Sequence, residues 1–228
     1  MNGLRYPTNS TDRGFGIIEL GLAIIILGIV FVLALKGAAL IPHMRAFVVS
    51  HQINQYRAAV LHYQNDYRNM PGDDPTAPTR WRRPNALYVT GTGLLSLAGD
   101  GKIDGFLDDS ASASGEQYMA WSDLRSGGYV QGDPTLAGQS ARPENLYGGT
   151  FGFAAQNLGL QQVLCLTRVP GADAALLDKR LDDGNIATGQ LRGTSQWDPV
   201  EEKNTFPEPD VVPYSPENTY IICVPNIP

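Results

Sequence analysis

The 228-residue chain is poor in the side chains that most chemistry needs. It has two cysteines, Cys165 and Cys223, and three histidines, His43, His51 and His62, with no histidine near either cysteine in sequence. That excludes zinc-ligand spacing and a Cys-x-x-Cys redox pair. Gly-x-Ser-x-Gly and phosphate-loop motifs are also missing. No catalytic constellation remains, and the chain does not read as an enzyme. Charged residues make up only 18% of the sequence and the formal net charge is -6. The first 14 residues are net positive through Arg5 and Arg13 against Asp12, so the rest is more acidic still. An acidic body is a poor electrostatic match for nucleic acid, which is not an expected partner. Arg80, Arg82 and Arg83 around Trp81 form the one local exception, and on an acidic protein they read as a solvated loop. Glycine (25) and proline (16) are plentiful, which points to loops rather than a helical bundle.

Long apolar runs are also scarce, with one exception. From Phe15 to Leu35 the side chains are apolar or glycine except for Glu19. As a helix this run reaches about 30 Å, the thickness of a bilayer's hydrocarbon core. The positive residues before it predict that the N-terminal end stays in the cytoplasm and that the chain from about residue 42 lies outside it. A cleaved secretory signal would be shorter, and Lys36 stands where its cleavage site would fall. A plain anchor fits the length and leaves Glu19 unexplained, because a carboxylate in lipid costs roughly 3 kcal/mol at mid-bilayer unless it is paired. No basic residue on the apolar side can pair with it. Cleavage before Phe15 would create a counter-charge, a new α-amino group.

Gly14, Phe15, the glutamate fifth after the cleaved bond and the unbroken apolar helix resemble the processing signal of type IV prepilins and type II secretion pseudopilins. The family's usual Thr-Leu after the phenylalanine is Gly16-Ile17 here. The resemblance implies a pilin-like subunit that a prepilin peptidase cuts after Gly14 and methylates on Phe15. It implies storage in a bacterial inner membrane as a single-pass protein with its head outside the cytoplasm. Assembly on an inner-membrane platform would then give a periplasmic or extracellular filament of its own or related subunits. In that filament Glu19 pairs with a neighbour's terminal amine. A pilus subunit, a secretion pseudopilin and an anchored binding protein that never polymerises all remain open, as does the filament's role in adhesion, motility, uptake or export.

The chain then divides into a leader over 1–14, an apolar helix over 15–41, an amphipathic stem helix over 42–70 and a head over 71–228. Pro42 is expected to kink or loosen the long helix. Beyond it Val49, Ile53, Tyr56, Val60, Tyr63 and Tyr67 step by four and three, which draws one apolar stripe suited to docking on a head. Met70-Pro71-Gly72 stops this helix. In the head, SGEQYMAWSDLRSGG predicts a short helix capped by Ser114, with Tyr118, Trp121 and Leu124 on one face and Gly127 at its end. LYGGTFGFA and LQQVLCLTRV predict two antiparallel strands, GADAALLDKRLDDG a helix stopped by Gly184, and TYIICVPNI a last strand. The expected class is α+β, a long N-terminal helix packed on a small antiparallel sheet.

Two further expectations concern the head. Outside the cytoplasm Cys165 and Cys223 should oxidise to a disulfide that encloses the C-terminal region, a closure that stabilises by about 4 kcal/mol on the chain-entropy model. Two free buried thiols are the alternative. Asp100, Asp104, Asp108 and Asp109 crowd a glycine-rich loop, which reads first as a polar turn. Its second reading is a calcium site on Asp100, Asp104 and Asp108, although Lys102 and the lack of a closing glutamate exclude an EF-hand.

Overall fold

The computed structural model describes residues 16–38, 40–82, 99–107, 115–195 and 209–226, with the side chains of 34, 35 and 38 excepted. The chain forms two compact units, one ending at Ile41 and the other beginning at Pro42.

The first unit holds helix α1, Ile17–Ala38. Glu19 in its first turn and Lys36 in its last complement the helix dipole. Its Ile, Leu and Val side chains leave no polar face. Helix α2, Ile41–Tyr67, starts anew. Pro42 therefore sits in the first turn of a second helix, where a missing N–H costs nothing, and does not kink one continuous helix.

In the second unit the stripe of α2 is buried as its spacing predicts. Val49, Ile53, Val60 and Tyr63 are fully covered, and Tyr56 and Tyr67 pack against the same core. Arg57 departs from the expected polar face, for it is half-buried. The chain after α2 turns at Gly72, whose φ is +86°; a Cβ there would strike the carbonyl of Glu116 and lie 2.9 Å from the amide of Ala120. Only glycine lets this turn lie against the next helix. A short helix α3, Ala77–Arg80, follows, and then α4, Glu116–Ser126. Gly127 caps the end of α4 as expected. At its start Gly115 is the N-cap residue, with no side chain bonded to the helix end; Ser114 lies outside the described residues.

Strands β1, Phe151–Asn157, and β2, Leu160–Pro170, form the expected hairpin. Leu158 and Gly159 turn it with φ of 50° and 71°, the left-handed pair that suits a two-residue hairpin. Helix α5, Gly171–Leu181, ends before Gly184, because Asp182 leaves the helix to accept N–H groups from Gln190 and Leu191. A three-residue strand not foreseen in the sequence, β3 over Arg192–Thr194, pairs with β4 over Thr219–Pro225. The four antiparallel strands run in the order β1-β2-β4-β3. The architecture is α+β.

Buried side chains of α2, α4 and α5 share one core with one face of the sheet, through Phe151, Phe153, Leu164, Leu166, Tyr220 and Ile222. Tyr56 meets the edges of Trp121 and Phe151 at ring centroid distances of 5.1 and 4.9 Å, and Trp121 stacks on Phe153 at 4.4 Å. This aromatic column ties α2 to α4 and β1. On the opposite face a smaller cluster gathers Leu107, Ala154, Val163, Ile221 and the two cysteines.

Candidate functional site

Helix α1 carries the sequence's strongest signal, and its surface is unusual. Every described large side chain on it is exposed: Ile17 at 90%, Ile25 at 61%, Leu27 at 67%, Phe31 at 65% and the others above half. In the second unit Met44 and Phe47, near the start of α2, are exposed as well. A helix that is apolar on all sides is normally found enclosed, by protein or by lipid. Nothing within α1 encloses it.

Glu19 is the one acidic side chain in this surface. Its Oε2 accepts the N–H of Gly16 at 2.9 Å, three residues back, in an exposed first turn. The carboxylate is therefore held at the helix start, over the backbone that directly follows Phe15. Gly14 and Phe15 themselves lie outside the described residues.

Among the described residues no helix is long and apolar enough to cross a membrane. The expected spanning segment over 15–41 is therefore not borne out among the described residues.

Cys165 and Cys223 are joined in a disulfide, and no free cysteine remains. They face each other directly across β2 and β4, in the middle of the sheet and fully buried. The bond staples two central strands and closes a segment that includes α5 and β3.

The acidic loop is only partly as expected. Asp100 Oδ1 accepts the N–H of Lys102 at 2.9 Å, a local turn. Asp104 is half-buried, and its N–H donates to Glu116 Oε2 at 2.8 Å. Asp108 lies outside the described residues. Among the described residues, the one trio of carboxylates with ligand atoms all within 4.8 Å is Asp178, Asp182 and Asp183, at the end of α5. Each of them already accepts hydrogen bonds: Asp178 from Gly184 N–H and Tyr214 O–H, Asp182 from the two amides that end the helix, Asp183 from Asn185 N–H and Thr188 O–H.

Two acids that the sequence did not single out are more unusual. Asp73 and Glu116 are 1% and 6% exposed. Burial pushes the Glu116 carboxyl up to about 8, against the pull of the Asp104 amide and with repulsion from Asp73, Asp104 and Asp100. Burial likewise raises Asp73. Nearby Asp74 behaves oppositely. Burial alone would raise it, yet its contacts with Arg80, Thr76 and Tyr63 hold it below the usual carboxylate range. Arg80 pairs with Asp74 at 2.5 Å and lies 4.0 Å over the ring of Tyr67. The arginine-tryptophan cluster thus has its first member committed inside the molecule, and Arg83 lies outside the described residues.

No family model, curated protein or solved structure matches the chain.

Proposed function

We propose that the chain is the precursor of a filament subunit of the type IV pilin-like class. On this reading a prepilin peptidase cuts after Gly14, Phe15 becomes the methylated N-terminus and the head lies outside the cytoplasm. The apolar run, which the sequence continues beyond Leu33 with Ala34 and Leu35, rests in the inner membrane until subunits are drawn into the filament.

The observation that supports this reading best is a lone carboxylate on an otherwise apolar and exposed helix. Lipid covers the apolar side chains but leaves Glu19 at a cost. A bundle of identical helices covers both: the apolar sides pack together, and each new α-amine meets a neighbour's carboxylate. Gly21 and Gly28 leave open space on α1 in which a second helix can approach closely. Two charges that are costly apart become one pair in the assembly.

The hydrogen bond from Gly16 to Glu19 favours a second reading. Glu19 already has an acceptor role within its own chain, so a tethered head that never polymerises remains consistent with it. The two readings diverge on one substitution. Glu19→Val should abolish or scramble filaments seen by electron microscopy while the precursor is still cleaved; unchanged filaments would reject the pairing model. Mass spectrometry of the mature protein should find methylated Phe15 at the N-terminus, and a chain that begins at Met1 would remove the processing step.

A further inference from the structure

The outer side of α2 differs from the rest of the molecule in charge and polarity. The chain is acidic overall, yet no Asp or Glu stands between Glu19 and Asp66. Over its first turns α2 buries Ala46, Val49, Ser50 and Ile53. At about 100° per residue, Met44, Val48 and His51 stand on the opposite side of the helix, with Phe47 beside them. All four are exposed, and the strip is apolar but for His51. His43 and Arg45, also exposed, fall on its two flanks.

A second element adds to the positive edge. Arg180, exposed at the end of α5, lies 4.8 Å over the ring of Phe47, and its Nε donates to Ser50 Oγ at 3.1 Å. Lys179 beside it is exposed too. The acid of α5 that interacts with Arg45, Asp173, is buried. An apolar centre with basic edges suits a helix that lies on an anionic bilayer. Its apolar side chains enter the boundary between headgroups and acyl chains, and its bases meet the phosphates. Arginine stems can lie along that boundary while their charged ends reach the headgroups. A second copy offering the same face would instead set arginine against arginine. Ile41 follows the end of α1 by three residues, so a bilayer that holds α1 has its headgroup layer within reach of these turns.

We propose that the first turns of α2 dock on the headgroup layer of the membrane that holds the chain, with Met44, Phe47 and Val48 in the interface and Arg45 and Arg180 on anionic lipid. The inference rests on the membrane-held state of the proposed function and is independent of whether the chain forms filaments. Docking gives the head a second hold on the bilayer besides α1. Any step that draws the chain out of the membrane must strip this face from lipid as well, and the content of anionic lipid sets how firmly it is held.

The test places the full chain in nanodiscs of phosphatidylcholine alone or with about one-third phosphatidylglycerol. A nitroxide is attached through Val48→Cys and, in separate samples, through Ile25→Cys on α1 or Gln161→Cys on β2. Electron paramagnetic resonance then compares access of oxygen, which favours lipid, with that of a water-soluble nickel complex. The oxygen-to-nickel ratio at position 48 should rise about threefold or more when phosphatidylglycerol is added. The label at position 161 should stay in water, and that at position 25 should report lipid in both discs. Arg45→Gln with Arg180→Gln should remove most of the rise. Arg45→Gln alone should remove part of it and leaves the contacts of Arg180 with α2 intact. A label in water at position 48 beside one in lipid at position 25 overturns the docking and leaves the anchor standing. A label in water at position 25 overturns the anchor and the docking together. A label at position 48 that neither reagent reaches, with broadening between nitroxides, means that a second copy covers the face and overturns the lipid assignment. An equal ratio in the two discs overturns the part played by anionic headgroups.

Discussion

Helices α1 and α2 are neighbours in the chain and similar in length, 22 and 27 residues, yet they meet opposite fates. The apolar stripe of α2 from Val49 to Tyr67 recurs at helical spacing, and the head covers it. Those of α1 occupy every side, and no single neighbour could cover them all. The second helix is therefore stabilised by its own chain's folding, and the first depends on what surrounds the molecule. One sequence thus carries two kinds of instruction: a stripe that specifies a partner within the chain, and a full apolar surface that specifies an environment or an assembly.

A matched pair of substitutions can break this comparison at its ends. Ile53→Ala opens a cavity in the shared core, where Ile53 is fully buried, and should destabilise the head by about 2–5 kcal/mol in urea unfolding followed by tryptophan fluorescence. If it costs no more than a surface substitution, α2 is not the internally covered helix described above.

An intermediate effect should come from pH. The folded head holds a proton on Glu116 that the unfolded chain has lost between pH 4.5 and about 8. Stability should therefore fall as pH rises through that window, by on the order of 2 kcal/mol from this group. Burial raises Asp73, Asp173 and Asp178 as well, and these act in the same sense. Glu116→Gln should flatten the upper part of the profile; an unchanged slope in that variant would place the effect elsewhere. The smallest effect is expected at Ile26, which is 52% exposed on α1. Ile26→Ala should leave the unfolding free energy of the head in urea within about 0.5 kcal/mol of wild type. A loss as large as that at Ile53 would mean that the stability of the head depends on α1.

Where neighbouring residues alone decide a structure, it was legible in the sequence. The stripe from Val49 to Tyr67, the β1–β2 hairpin and the glycine that ends α4 all follow from spacing and turn chemistry. The cysteine pair could be expected from the two strands that carry it. What could not be read depends on partners distant in the chain. β3 is three residues with no alternating pattern, and it becomes a strand because β4 lies beside it. α5 stops early because a carboxylate is drawn to amides eight and nine residues ahead. Glu116 looks like an ordinary first-turn acid, favourable at a helix start. Its burial arises only when residues 72–73 and 99–104 close over it. The signals for Glu19 and for Glu116 therefore differ in kind: one is an anomaly of composition, the other an anomaly of packing.

The order of strands carries a consequence for synthesis and, on the proposed reading, for export. β4 lies between β2 and β3, so until residues 219–225 arrive β3 has no neighbour and β2 has only β1. A head delivered N-terminus first through a membrane channel would wait with its sheet open and its two thiols apart until that stretch emerged. Oxidation of the thiols would then mark a finished head, and a cell that inspects its exported proteins could use the bond to tell complete copies from stalled ones.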